Sequence, residues 1–166
     1  MLLGTYHQGG EMAKGTVTHL FCGGKVILIL RNNWDGNVVD AWHWDSATET
    51  AEPEDGDDLE VTMRRGLEEE IGFVPKSLHF LGLTRQKGNG FFCAFLSEEE
   101  VAKIVINPHE GEKFALYTLE DTFKLQLGGS FRNHAEAYPE AFAKMAKGEL
   151  PDPTELRLRP VVVTTR

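Results

Sequence analysis

Three consecutive glutamates, Glu68, Glu69 and Glu70, close the stretch Arg64-Arg65-Gly66-Leu67-Glu68-Glu69-Glu70-Ile71-Gly72. Clustered carboxylates are hard oxygen donors, the ligand type that suits divalent cations such as Mg²⁺. Leu59, Met63, Leu67 and Ile71 recur every four residues, so the stretch reads as a helix with one apolar stripe. At about 100° per residue, Glu70 falls inside the arc that holds Met63 and Leu67, and Glu69 lies on its margin. A carboxylate within an apolar stripe must be paired, protonated or bound to metal. The three acids also stand at the negative end of the helix dipole, where each costs up to ~1 kcal/mol. The plainer alternative is a solvated acidic face, with Arg65 and Glu69 as an i, i+4 surface pair worth under ~0.5 kcal/mol.

The elements that must position these acids follow from the pattern along the chain. Thr16–Cys22 alternates, Lys25–Leu30 is a short apolar run, and Gly23-Gly24 between them signals a hairpin. Val38–Trp44 is a candidate third strand, and the acidic, polar residues 45–58 read as a loop. The helix starts at Leu59, behind the capping acids Asp57 and Asp58, and stops at Gly72. Leu78–Arg85, Phe91–Leu96 and Lys113–Tyr117 read as strands, with a turn at Lys87-Gly88-Asn89-Gly90. Ser97–Val105, Leu119–Leu127 and Tyr138–Lys147 read as helices, and the VVVTT near the end as an added edge strand. The order of strands, one early helix, strands, then late helices gives a single α+β domain over 1–166. Residues 1–14 form a loose N-terminal arm, and 148–166 a C-terminal extension.

Composition narrows the function classes. The chain has 166 residues, 41% apolar and 26% charged, as expected of a globular domain. Twenty-six acids against seventeen bases give a formal charge of −9, so nucleic acid is not an expected partner. No apolar run approaches the ~20 residues needed to span a bilayer, so no membrane partner is expected. Met1–Gly15 lacks a basic segment followed by an apolar one, so no secretory signal is expected either. Cys22 and Cys93 sit in apolar runs and read as buried reduced thiols, which points to the cytoplasm.

The stretch from Ala51 to Phe73 resembles the box of the Nudix (MutT-like) hydrolases, G-x5-E-x7-R-E-U-x-E-E-x-G-U, with U a large aliphatic residue. Arg65, Leu67, Glu69, Glu70, Gly72 and Phe73 match it. Ala51 stands for the first Gly, Asp57 for the loop Glu, and Gly66 for the Glu beside the Arg. The flanks KVILILR and WHWD are also similar, and the resemblance covers roughly residues 15–127. It implies an α/β/α sandwich with a mixed central sheet, and divalent-metal-dependent hydrolysis of a nucleoside diphosphate derivative with Mg²⁺ or Mn²⁺. Carried over residue by residue, Glu69, Glu70 and Arg65 are the catalytic candidates, and Glu69, Glu70 and Asp57 the metal ligands. Arg65 would orient the carboxylates by pairing with Asp57. A further acid is expected from the loop after the box. Glu110 and Glu112 are the candidates, Glu112 being preferred because it is nearer the next strand, and Glu54 is a weaker substitute.

Arg31, Arg85 and Lys87 are candidates for phosphate contacts, and Trp34, Trp42 or Trp44 for stacking on a base, with Arg31, Arg85 and Trp44 taken as the substrate set. A homodimer stays open. So do three other readings: a nucleotide-binding or sensing module weakened by Gly66 and Ala51, an acidic adaptor, and an isopentenyl diphosphate isomerase. The run from Trp42 to Ala51 speaks against the last, because it holds no Cys and only His43. If position 66 is uncrowded, Gly66→Glu should raise both helix stability and turnover.

Overall fold

The computed structural model describes residues 5–7, 15–159 and 162–164. A mixed seven-stranded sheet forms its middle layer. Strand β1 (Thr5–His7) pairs antiparallel with a strand near the end of the chain, Val162–Thr164. The loose-arm reading therefore fails for residues 5–7, while the rest of that arm lies outside the described residues. In the main sheet, β2 (Gly15–Cys22) and β3 (Lys25–Leu30) form the expected hairpin. Two short strands follow, β4 (Trp44–Asp45) and β5 (Ala47–Thr50). After helix α1 (Leu59–Ile71) come β6 (Ser77–Leu83), β7 (Gly90–Phe95), α2 (Glu98–Ala102), β8 (Lys113–Tyr117), α3 (Leu119–Thr122), α4 (Gly129–Ala137) and α5 (Pro139–Ala146). The strand Val162–Thr164 is β9. The path runs β4-β3-β2-β7-β6, with β8 joined to β3 and β5 to β2, and β2 and β7 are parallel.

Alternation along the strands divides the core into two. On one face Leu20, Ile27, Ile29 and Phe92 pack against the α1 stripe of Leu59, Met63, Leu67 and Ile71. On the other, Val17, Phe21, Val26, Leu28 and Phe91 pack against Phe131 of α4 and Phe142 and Met145 of α5. The result is the α/β/α sandwich with a mixed sheet. Helix α1 begins where Asp58 accepts from Glu60 N–H (2.9 Å) and Val61 N–H (3.4 Å), and ends at Gly72, whose φ of 91° suits glycine. Cys22 and Cys93 are buried and unbridged. Among the described residues, no helix is long and apolar enough to cross a membrane.

Several elements depart from the sequence pattern. Val38–Trp44 is not a strand. Asp40 and Trp42 take positive φ values, and Trp42 N–H donates to Arg31 O (2.7 Å), so the segment folds as turns and only Trp44–Asp45 joins the sheet. Within 45–58, read as loop, Ala47–Thr50 forms β5, paired with residues 15–18 of β2. Leu119–Leu127 stops after one helical turn, because Lys124 and Leu125 N–H donate to Asp121 and Thr122 carbonyls in tight turns. Helix α4 has no local capping side chain. Its Phe131 N–H donates to Asp45, 86 residues away in sequence, at 2.8 Å.

His19 of β2 is fully buried among the rings of Phe91, Phe142 and His134, at 4.8, 4.9 and 5.6 Å, with Nδ1 2.6 Å from Ser46 Oγ. Burial, reinforced by His134, holds its pKa well below the usual value of 6.5. The unfolded chain thus binds a proton that the folded chain refuses. The His19 contribution is full above pH 6.5 and is lost as the pH falls below it. His19→Phe, which fits the aromatic surroundings, should shrink the drop in melting temperature between about pH 7.5 and about pH 5.5 relative to wild type. An unchanged drop would mean that His19 accepts its proton without unfolding.

Candidate functional site

The chain segments meet at a cleft of about 550 Å³. Its lining includes Glu49 of β5, Glu70 at the end of α1, Glu110 before β8, Arg31 after β3, Lys87 in the β6–β7 turn, and His109. Three acids from three separate elements thus face two cations across one opening.

Glu70 is the deepest of the acids. Thr48 N–H donates to its Oε1 at 3.4 Å, while Oε2 is sealed from solvent with no partner among the described residues. Burial pushes its pKa well above the usual carboxylate value. Arg31 and the Thr48 N–H oppose the rise, and the charges of Glu110 and Glu49 add to it. Glu110 is raised in the same sense, first by burial and then by Glu69, against Arg31 and His109. Glu49 is pushed up to about 7 by burial and by the neighbouring Glu69, against the Thr50 N–H and Arg65. Glu69 is exposed and does not line the cleft, although its charge acts on Glu49 and Glu110. Arg31 is held by Thr48 Oγ1 (3.0 Å) and by an ion pair with buried Asp45 (3.5 Å), which aims a fixed positive charge into the cleft.

Arg65 braces the wall of the site rather than entering it. Its guanidinium donates to Asp55 and, at 2.8 Å, to Thr50 O, and it approaches Glu49 and Glu52 at 3.7 Å each. The partner is Asp55 and not Asp57, because a 3-10 turn at Pro53–Asp55 turns the Asp55 carboxylate inward. There Thr62 Oγ1 (2.7 Å) and Glu52 N–H (2.9 Å) also donate to it. Burial acts to raise the Asp55 pKa, but these donors and Arg65 outweigh it and hold the group below its usual value. Asp57 takes a positive φ of 66° and does not line the cleft.

The other expected residues divide. Glu110 lines the cleft, while Glu112 is exposed outside it, its N–H given to Leu30 O at 2.8 Å. Nearness to the strand start is not nearness to the site. The turn at Asn107–Glu110 brings the earlier acid inward. Glu54 is exposed. Arg85 donates to Arg157 O at 2.7 Å and does not line the cleft. Trp44 packs on Tyr117 at 5.3 Å under Lys113, as part of the second core. Trp34 is 56% exposed and stacks on His109 at 4.2 Å, beside the cleft. Sequence reasoning missed Glu49 altogether, because it lay in a segment read as loop. The alternation of Ala47, Thr48, Glu49 and Thr50 was the available signal.

The donor set is one of hard oxygens. Among the described residues, no three His, Cys, Asp or Glu side chains close into a ready-made cage. Mg²⁺ is commonly held by one or two carboxylates together with water and substrate phosphates, so an open set suits it. The sealed, unpartnered Oε2 of Glu70 fits a cation neighbour, since such an oxygen is otherwise costly.

Position 66 is crowded. A Cβ there would lie 2.6 Å from Glu49 Cβ, which is fixed to the β5 backbone and cannot rotate away. Helix propensity alone would make Gly66→Ala stabilising by about 1 kcal/mol. The overlap should reverse the sign, costing about 1–3 kcal/mol in urea denaturation. A more stable Gly66→Ala variant would contradict this packing. Asp55→Ala should cost about 2–4 kcal/mol, because it strips Arg65 and Thr62 of their partner. The Asp55 contribution is full at neutral pH and is lost as the pH falls through its lowered folded pKa, so wild type and Asp55→Ala melts should converge in acid.

A family model described as NUDIX domain matches residues 12–141. No curated protein matches the chain. Solved structures share the fold at low identity. The NUDIX domain of Shewanella oneidensis NrtR, in complex with ADP ribose, is 19% identical at a TM-score of 0.59, covering 80% of this chain and 89% of that one. A mutT/nudix family protein from Listeria innocua is 16% identical at 0.57, covering 83% and 97%. A C. elegans Ap4A hydrolase is 15% identical at 0.51, covering 81% and 94%. With the family match spanning most of the chain and the box helix at the edge of an acidic cleft, this chain belongs to the Nudix family.

Proposed function

We propose that the chain hydrolyses the pyrophosphate bond of a nucleoside diphosphate derivative, using Mg²⁺ or Mn²⁺ held in the open cleft at Glu70, with Glu69 and Glu110 beside it. The observation that carries this is Glu70, a half-buried glutamate whose Oε2 is sealed from solvent and unpartnered among the described residues, in a cleft that other acids line. A bound divalent cation would neutralise the substrate's phosphates and lower the pKa of a coordinated water. The protein's own share is binding and orientation. Arg31, held by Thr48 and Asp45, meets an anionic phosphate without having to be ordered first. Lys87 offers a second, solvent-exposed charge from the β6–β7 turn. Arg65 fixes the loop and the end of β5, so the acids keep their spacing. In the overall reaction a water oxygen attacks one phosphorus, the bridging P–O bond breaks, and two phosphomonoester products leave with about two protons released at neutral pH.

The substrate class follows the family and its fold neighbours, one seen with ADP ribose and one named as an Ap4A hydrolase. The two buried, unbridged cysteines suit a reducing cytoplasm. A binding module without turnover is the second reading. Gly66, which removes a carboxylate from the box helix, favours it.

The test is a panel of ADP-ribose, nucleotide sugars, dinucleoside polyphosphates and nucleoside triphosphates with Mg²⁺ or Mn²⁺. Turnover of at least one, abolished by chelation and lowered at least about tenfold in kcat by Glu70→Gln, is the expected result. Mn²⁺ should also raise the melting temperature of wild type but not of Glu70→Gln. Saturable nucleotide binding with no turnover across the panel would establish the module instead.

A further inference from the structure

We propose that Glu49 of β5 supplies to the cleft the carboxylate that α1 lacks at position 66, and that it does so as a ligand of the divalent cation. This rests on the cation-dependent reading of the cleft given above. The first observation is steric. A Cβ at position 66 would lie 2.6 Å from Glu49 Cβ, 3.1 Å from its Cγ and 3.3 Å from its Oε2. The Glu49 side chain therefore runs through the space in which a side chain at 66 would begin. Glycine in the helix and glutamate on the strand form a matched pair, because either a side chain at 66 or the one at 49 fits, but not both.

The second observation is placement. Glu49 lines the same cleft as Glu70 and Glu110, and its nearest charge of like sign is Glu69. Positions 66, 69 and 70 of a helix share one patch. The strand thus delivers an acid to the patch from which the helix omits one. Glu49 is also pre-positioned, since Thr50 N–H donates to its Oε1 at 3.0 Å and Arg65 stands 3.7 Å away. The third observation points to the ligand independently. Glu70 Oε2 is sealed from solvent and has no partner among the described residues.

A purely structural Glu49, kept to neutralise Arg65, explains less. Arg65 already has Asp55 and Thr50 O at hydrogen-bond distance, so its charge is met without Glu49. Glu52 gives the control, being another 3.7 Å partner of Arg65 that is exposed and does not line the cleft.

The experiment is calorimetric titration of the full chain with MnCl₂. Glu49→Gln should weaken Mn²⁺ affinity at least about tenfold, while Glu52→Gln should change it less than about twofold. The exchange variant, Glu49→Gly with Gly66→Glu, removes the clash and moves the acid to the helix. It should bind Mn²⁺ at least about tenfold more tightly than Glu49→Gly alone. Wild-type affinity in Glu49→Gln would overturn the proposal while leaving the cation-dependent reading intact. An exchange variant that folds yet binds no better than Glu49→Gly would overturn the matched-pair relation. Should the exchange variant not fold, Glu49→Gln decides. Wild type that binds no Mn²⁺ at all would overturn both this proposal and the reading beneath it.

Discussion

The cleft is organised around a half-buried carboxylate that the protein satisfies only halfway. Glu70 has one oxygen on Thr48 N–H and the other sealed and unpartnered among the described residues. An isolated charge in that position costs several kcal/mol, so the surroundings must offset it or the group must hold a proton. Arg31 is the offset that the fold supplies. It is in turn fixed by Asp45, which also caps α4. One acid therefore links the charge balance of the cleft to the packing of the helix layer on the far side of the sheet.

Arg65 does for the rim what Arg31 does for the floor. Its contacts to Asp55 and Thr50 O tie the loop before α1 to the end of β5, which carries Glu49 and Thr48. The close approach of α1 to β5 depends on there being no side chain at Gly66. The absence that weakens the family's box in sequence is, in three dimensions, what lets strand and helix meet. Chemistry lost at one position and packing gained there are two consequences of the same missing Cβ.

The parts of the fold legible in the sequence are those governed by local rules. The β2–β3 hairpin follows from Gly23-Gly24, and α1 from its four-residue spacing and the Asp58 cap. Glu70 stands within the apolar stripe in sequence, and in the structure it is half-buried with its Oε2 sealed from solvent. What could not be read depends on partners distant in the chain. Strand β5 is short and polar, and exists because residues 15–18 offer it an edge. Helix α4 takes its cap from Asp45 rather than from a neighbour. Arg65 chose Asp55 over Asp57 because a 3-10 turn reversed the loop, and two residues of register decide which acid points inward. The same holds for Glu110 against Glu112. Box matching by linear position carries a role to a number in the sequence, whereas the fold assigns it to a place.

The most direct measurement of the central claim is anomalous diffraction at the manganese edge from crystals of the wild-type chain grown with Mn²⁺. The account predicts a peak in the acidic cleft, within about 2.5 Å of a Glu70 carboxylate oxygen. A well-ordered cleft with no peak there, or a peak confined to surface acids away from Glu70, would contradict it.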